Sequence, residues 1–142
     1  MTWDIRFDLG AFAPGGMSAH ARIDAVAQLV EALVYVNRLW LPFHKDTPPL
    51  YQSGVVFLAD DAAYDIGGAN WWRDIPRTLE LGYGHCVALA AWRIAELREA
   101  GENAKVKILE WHPDHGGIDF HIQLFRGDGR TMEDPAKRLG MP

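Results

Sequence analysis

The stretch from Cys86 to Ala100 is mostly apolar, and it constrains the fold more than any other part of the chain. Glycines flank it, with Gly82 and Gly84 before it and Gly101 after it. Because glycine is favoured at helix ends and in the turns beside them, this pattern predicts a helix that begins near Cys86 and ends at Gly101. Apolar side chains recur on most of its faces, at Val87, Leu89, Ala90, Ile94 and Leu97. We therefore expect a largely buried helix with other elements packed around it.

Two further helices are predicted on the N-terminal side of this one. Ser18 is placed to cap a long helix that runs to about Trp40, where Pro42 stops it. Its apolar stripe, which indicates core packing, consists of Ile23, Ala27, Val30, Val34 and Leu41. A short helix is expected next, with Pro76 in its first turn and Gly82 at its C-terminal end.

Period-two alternation predicts strands at both ends of the chain. Residues 2–9 alternate as in a half-buried strand. Residues 106–111 and 120–125 predict two more strands, and a return strand is expected from Arg130 to about Asp134, where Pro135 ends the pairing. The segment 42–61 is expected to be irregular apart from the short apolar run 55–58. Since helices precede an antiparallel meander, the predicted class is α+β, and residues 1–142 fit a single domain.

The sequence Arg126-Gly127-Asp128-Gly129 is typical of a hairpin turn, and the register of this hairpin decides which flanking residues meet. Residues that face each other in an antiparallel pair have a constant index sum. A turn at 127–128 puts His121 opposite Asp134, whereas a turn at 128–129 puts Gln123 opposite Asp134 and makes His121 the diagonal neighbour. Both registers bring His121 and Asp134 within reach of each other on one sheet face.

Cys86 is the only cysteine of the chain, and it lies at the predicted start of the buried helix. The N–H groups of a helix N-terminus favour a thiolate and can hold a developing oxyanion. A lone cysteine is more often a small buried hydrophobic residue, so the interpretation depends on partners. Acyl transfer by a thiol needs an imidazole that activates the thiol and a carboxylate that orients the ring. We therefore expect Cys86, His121 and Asp134 to be catalytic, with the Cys86 N–H as an oxyanion donor.

Several motifs resemble those of a known family. Gly84-x-Cys86-x-x-x-Ala90, Leu97-Arg98-x-x-Gly101, Ala104-x-Val106, a strand with His121, and Asp134-Pro135 follow one another as in the transglutaminase-like branch of the papain-like cysteine fold. The resemblance covers about residues 70 to 142, after an N-terminal strand and long helix within residues 1–41. It implies a papain-like fold in which the nucleophile helix packs on an antiparallel sheet, with Cys86 as nucleophile, His121 as base and Asp134 as orienting acid. It also implies acyl transfer, through a thioester and without a cofactor, on an amide or isopeptide bond of a protein or peptide. Whether water or an amine accepts the acyl group stays open, with a slight preference for hydrolysis.

The C-terminal stretch, residues 133–141, is similar to that of small transglutaminase-like proteins of tailed phages and prophages. This narrower resemblance implies a location in the bacterial host cytosol or on the virion, with other phage structural proteins as partners. One feature departs from those relatives, because His85 precedes the cysteine and Val87-Ala88 follow it where acidic residues are usual. The departure leaves the substrate preference and the role of His85 open.

Other residues permit more than one interpretation. Trp72, Tyr83 and His85 are expected in a substrate cleft, although aromatic residues are more often part of the core. Catalysis can also be lost while the fold is kept, which would leave a structural or binding module of a phage particle. A metal site between His112 and His121 is a lesser alternative. The segment 112–117 is typical of a solvated turn, and structural zinc sites usually have paired cysteines, so no metal is expected.

Composition excludes several classes of function. The net charge of −5 and sequence pI of about 5.6 argue against a nucleic-acid surface. No run of eighteen apolar residues and no basic-then-apolar leader are present, so membrane attachment is not expected. With a single cysteine, no internal disulfide can form, which suits a reducing cytosol.

Overall fold

The computed structural model describes residue 10 and residues 15–59, 72–112, 114 and 118–142. The strand predicted over residues 2–9 and part of the loop predicted over 112–117 lie outside the described residues. Within the described part of the chain, no helix is long and apolar enough to cross a membrane.

The three predicted helices are confirmed almost to the residue. Helix α1 spans Ala19–Trp40. Its N-cap is Ser18, whose hydroxyl oxygen accepts a hydrogen bond from the backbone N–H of Ala21 at 3.2 Å. Helix α2 spans Ile75–Leu81 and ends at Gly82, which has a φ of 79°. Helix α3 spans Cys86–Glu99. Short 3-10 turns follow α1 at Leu41–Phe43 and at Leu50–Gln52.

The buried face of α1 differs from the predicted stripe. Its fully buried residues are Arg22, Val26, Val30, Val34 and Asn37, while Ile23, Ala27 and Leu41 are only half-buried. Arg22 is buried because its guanidinium pairs with the Glu110 carboxylate at 2.6 Å. The Asn37 amide oxygen accepts a hydrogen bond from the backbone N–H of Ile75 at 2.9 Å. Both partners are remote in sequence, so an apolar pattern does not identify these polar residues as core.

The predicted antiparallel meander is confirmed as a three-stranded sheet in the order β3-β4-β5. Strand β3 spans Lys105–Trp111, β4 spans Asp119–Phe125 and β5 spans Met132–Glu133. A second, parallel pair was not predicted: β1, Val56–Phe57, pairs with β2, Tyr83–Gly84. The return strand is shorter than expected, because the chain turns after Glu133 into a fourth helix, α4, at Pro135–Arg138.

The hairpin between β4 and β5 adopts the second of the two predicted registers. Leu124 pairs with Glu133 and Phe125 with Met132, which places Gln123 opposite Asp134 and makes His121 the diagonal neighbour of Asp134. A four-residue loop connects the strands, and the backbone N–H of Arg126 donates to the Thr131 carbonyl oxygen at 2.8 Å where it closes. The Asp128 carboxylate accepts hydrogen bonds from the backbone N–H groups of Arg130 and Thr131, each at 2.8 Å.

Helix α3 is covered on two sides, as its apolar faces predict. One core cluster joins it to α1 and to β4 through side chains that include Val30, Val34, Ile94, Ile122 and Leu124. A second cluster joins it to the segment around Leu50 and to α2 and α4 through Leu89, Trp92, Ile75 and Ala136. Cys86 is half-buried and packs against both clusters. The class is therefore α+β, with the first residue of α3 at the junction of its two cores.

Candidate active site

Cys86 is the first residue of α3, and the turn before it is tightly packed. Gly84 lies so close to α3 that a Cβ atom there would be 3.2 Å from the Leu89 and Thr78 side chains and 3.3 Å from the Ala88 Cβ. A side chain at position 84 would push β2 away from the helix. Glycine at position 84 thus allows β2 to pack closely against α3.

His85 is the N-cap of α3. Its Nδ1 accepts a hydrogen bond from the backbone N–H of Val87 at 3.1 Å, and the residue is 7% exposed. Because Nδ1 is an acceptor, the neutral ring carries its proton on Nε2. In a protonated ring, Nδ1 can no longer accept this hydrogen bond. His85 therefore cannot cap α3 and, at the same time, stabilise a Cys86 thiolate as an imidazolium. Histidine is not a preferred N-cap residue, and the sequence alone did not indicate this contact.

The Cys86 thiol lies against the beginning of β4. Its Sγ atom is 4.0 Å from the carbonyl oxygen of Phe120, the residue before His121. Ile122 and Leu124 point into the core beside α3, so His121 and Gln123 occupy the alternate side-chain positions of the strand. The nucleophile predicted from the sequence therefore contacts the strand that carries the predicted base, at its neighbouring residue.

His121 and Asp134 form the contact predicted from the hairpin. The His121 Nε2 atom lies 2.8 Å from Asp134 Oδ2, and the histidine is 5% exposed. Gln123 Nε2 donates to the same oxygen at 2.9 Å. Asp134 is also the N-cap of α4, since its Oδ1 accepts from the backbone N–H of Lys137 at 3.1 Å. One carboxylate thus accepts hydrogen bonds from a ring, an amide and a helix end.

These contacts keep Asp134 ionised. Burial alone would raise the pKa of this carboxyl, but the hydrogen bonds from Gln123, His121 and the Lys137 backbone outweigh that cost and hold the pKa below its ordinary value. An ionised carboxylate on Nε2 favours the tautomer in which the ring proton is on that nitrogen. The other nitrogen, Nδ1, then has the lone pair that a general base needs.

A network around Glu133 anchors the strand that leads to Asp134. The Glu133 carboxylate accepts from Tyr51 Oη at 2.5 Å, from Arg93 Nε at 2.6 Å and from Arg126 at 3.2 Å. Burial works to raise the pKa of Glu133, yet the hydrogen bonds from Arg93 and Tyr51 leave it lowered. No local sequence pattern predicts this network, because Tyr51 and Glu133 are 82 positions apart.

Two of the predicted cleft residues, Trp72 and Tyr83, flank α2 in the chain. Trp72 is half-buried and packs on the same core cluster as Cys86 and Phe120. Tyr83 is half-buried, and the Arg73 guanidinium lies 5.6 Å from the centre of its ring. Their assignment to a substrate cleft stays a prediction.

The alternative metal site would lie between His112 and His121. Among the described residues, no group of three histidine, cysteine, aspartate or glutamate side chains is arranged to hold a metal ion. The His112 side chain is 61% exposed, and its Nε2 lies 3.0 Å from Glu110 Oε1. His115 lies outside the described residues.

Comparison of the chain with protein-family models, with curated proteins and with solved structures gave no match.

Proposed function

We propose that this protein is a cysteine-dependent acyltransferase or hydrolase of the transglutaminase-like kind, with a papain-like fold, in which Cys86 is the nucleophile, His121 the general base and acid, and Asp134 the residue that orients the ring. The observation that carries the proposal is the bond from His121 Nε2 to Asp134 Oδ2 at 2.8 Å, on a strand whose Phe120 carbonyl oxygen lies 4.0 Å from Cys86 Sγ. A histidine oriented by a carboxylate beside a thiol at a helix N-terminus is what acyl transfer by cysteine requires.

In the proposed mechanism the thiol proton moves to His121 Nδ1, which requires Sγ and Nδ1 to come within hydrogen-bond reach. The thiolate attacks the amide carbonyl carbon, and the backbone N–H of Cys86 stabilises the oxyanion. The C–N bond then breaks, His121 returns the proton to the leaving amine, and a thioester remains on Cys86. Water or a primary amine attacks the thioester and gives its proton to His121, the C–S bond breaks, and the Cys86 thiolate takes the proton back from His121. Asp134 stays ionised and stabilises the imidazolium at each step.

The substrate class follows from the same proposal. The acyl donor is an amide side chain or an isopeptide bond of a protein or peptide, and other structural proteins of a phage are the proposed partners. The alternative of a structural or binding module without catalysis is favoured by one contact. A neutral thiol that donates to a backbone carbonyl, as the position of Cys86 Sγ beside Phe120 permits, is inert.

Alkylation of Cys86 with iodoacetamide at neutral pH, followed by intact-mass spectrometry, separates these two functions. Because Cys86 is the only cysteine, any label reports on this thiol alone. We expect faster labelling than for the thiol of the urea-unfolded chain. Activity is measured as ammonia release from glutamine peptides without an added amine, which reports hydrolysis, and as incorporation of a fluorescent primary amine, which reports amine transfer.

Asp134→Asn is the sharpest variant, and Asp74→Asn is its matched control. Both aspartates cap a helix that has proline in its first turn, each accepting a backbone N–H at 3.1 Å, and asparagine preserves such a cap. At position 134 the new amide would favour the wrong histidine tautomer, so we expect turnover to fall by on the order of 10⁴-fold. Asp74→Asn should leave turnover unchanged. Slow labelling of the wild type, with turnover unaffected by Cys86→Ala, would contradict the proposed function.

A further inference from the structure

Gln123 donates a hydrogen bond to the carboxylate of the proposed site. It follows His121 by two positions on β4, so both side chains project from the same face of the strand. The hairpin register places Gln123 opposite Asp134, and its Nε2 donates to Asp134 Oδ2 at 2.9 Å. His121 Nε2 lies 2.8 Å from that same oxygen. The amide and the ring therefore share one acceptor atom.

The orientation of this amide is fixed by its surroundings. In the described part of the chain, the buried Oε1 atom of Gln123 has no hydrogen-bond partner. Rotating the amide by half a turn would put Oε1 against Asp134 Oδ2, with two oxygens in contact. A buried carbonyl without a partner lowers the stability of the fold. The hydrogen bond from Gln123 Nε2 to Asp134 offsets this cost.

We propose that Gln123 is a positioning residue of the site, which holds Asp134 ionised and directs Oδ2 towards the imidazole of His121. This inference rests on the proposed function. The Lys137 backbone N–H fixes Oδ1 at 3.1 Å, and Gln123 fixes Oδ2, so the plane of the carboxylate is set before His121 gains a proton. A neutral donor does this without a positive charge that would repel the imidazolium formed during turnover.

Removal of the Gln123 amide has a definite electrostatic consequence. A hydrogen bond to the charged form of a carboxyl lowers its pKa, and loss of that bond raises the pKa of Asp134. The titratable groups around Asp134 are His121 on β4 and, one residue earlier on β5, Glu133, which is bonded to Tyr51, Arg93 and Arg126. None of these contacts involves Gln123 directly. Replacing Gln123 therefore changes the pKa of Asp134 through the lost hydrogen bond to Oδ2.

The test compares Gln123→Met, Gln123→Glu and the control Gln28→Met, which changes an exposed glutamine of α1. Methionine keeps the length of the side chain without the donor. Glutamate restores a donor only when it is protonated. We expect Gln123→Met to lower kcat by about 10- to 100-fold with little change in KM, as for loss of orientation at a reacting group. Gln28→Met should match the wild type.

The pH dependence distinguishes positioning from a general structural effect. Relative to the wild type, the rate of Cys86 alkylation in Gln123→Met should fall further as the pH is lowered, because Asp134 in this variant becomes protonated at a higher pH. The relative rate in Gln123→Glu should instead recover as the pH is lowered, because the protonated glutamate donates to Asp134. Relative rates that stay constant with pH for both variants would mean that Gln123 contributes only to the fold.

A carboxyl ¹³C NMR titration of Asp134 separates failure of this inference from failure of the proposed function. An active wild type with identical Asp134 titrations in wild type and Gln123→Met overturns the inference alone. An inactive wild type whose Asp134 titration moves to higher pH in Gln123→Met overturns the proposed function, while the effect of Gln123 on Asp134 stands.

Discussion

The N-cap contact of His85 gives a prediction whose size follows from the structure. In His85→Ala, the buried N–H of Val87 loses the acceptor that now lies 3.1 Å away. Loss of an N-cap side chain costs about 0.5–2 kcal/mol, and the burial of this donor places the value in the upper part of that range. For a chain of 142 residues, we expect the melting temperature to fall by roughly 2–8 °C. In His85→Asn, asparagine can accept the same hydrogen bond, so most of the stability should return.

Urea unfolding monitored by circular dichroism measures the free energy of unfolding of each variant. Ser18→Ala is the matched control, since it removes the N-cap of α1, where Ser18 Oγ accepts from Ala21 N at 3.2 Å. Because the Ser18 cap is exposed, its loss should cost a free energy in the lower part of the same range, without changing the alkylation rate of Cys86. His85→Ala should slow alkylation, because the first turn of α3, which carries the thiol, loses its cap.

Equal destabilisation by His85→Asn and His85→Ala would refute the cap. A second result would support the predicted place of His85 in the substrate cleft: His85→Asn with full stability but with a raised KM for the peptide substrate. In that case the ring contributes something that an asparagine cap does not replace.

Two further predictions concern groups with shifted pKa values. Burial, together with the hydrogen bond to Glu133 and its charge, raises the pKa of Tyr51 against the opposing charges of Arg93 and Arg138. The neutral phenol therefore stabilises the folded state below the ordinary tyrosine pKa, and this contribution is lost as the pH rises through the higher folded value. Tyr51→Phe should leave the absorbance change at 295 nm unaltered up to about pH 11, whereas loss of a quarter of the signal of the four tyrosines would contradict this. Hydrogen bonds from the Thr131 side chain and from the Thr131 and Arg130 backbones lower the pKa of Asp128 to about 2. Its stabilisation is present above the ordinary aspartate pKa of about 4, so the difference in unfolding midpoint between wild type and Asp128→Ala should vanish as the pH falls to about 2. A difference that persists there would show that the turn does not depend on the charge.

Local patterns in the sequence were enough to predict the helices and the contact between His121 and Asp134. Caps and terminators are short-range signals, so Ser18 and Gly82 mark the helix ends they predict. The hairpin loop narrowed the register to two possibilities because pairing across a turn is local. The choice between them required the structure, since the loop contains four residues rather than two.

What the sequence did not reveal depends on contacts between distant segments. The parallel pairing of β1 with β2 joins Phe57 to Gly84, and no turn signal links such strands. Burial of Arg22 depends on Glu110, which lies 88 positions away. Asp134 caps α4 as well as ending the strand, and the sequence Asp134-Pro135 fits both roles. The register predicts that Gln123 can lie opposite Asp134, but nothing in its own sequence position indicates that it bonds the site carboxylate.

The two halves of the proposed site differ in how firmly the chain holds them. Cys86 starts a 14-residue helix packed in two cores, whereas Asp134 lies between a two-residue strand and a four-residue helix. Short elements open locally at lower free energy than long core helices, and hydrogen exchange reports such openings. The bonds from Glu133 to Tyr51, Arg93 and Arg126, together with the buried Ala136 of α4, are therefore among the contacts that oppose detachment of the orienting carboxylate. Heating should uncouple Asp134 from His121 before α3 unfolds, so inactivation would be reversible over a temperature range in which the helical circular dichroism signal is unchanged.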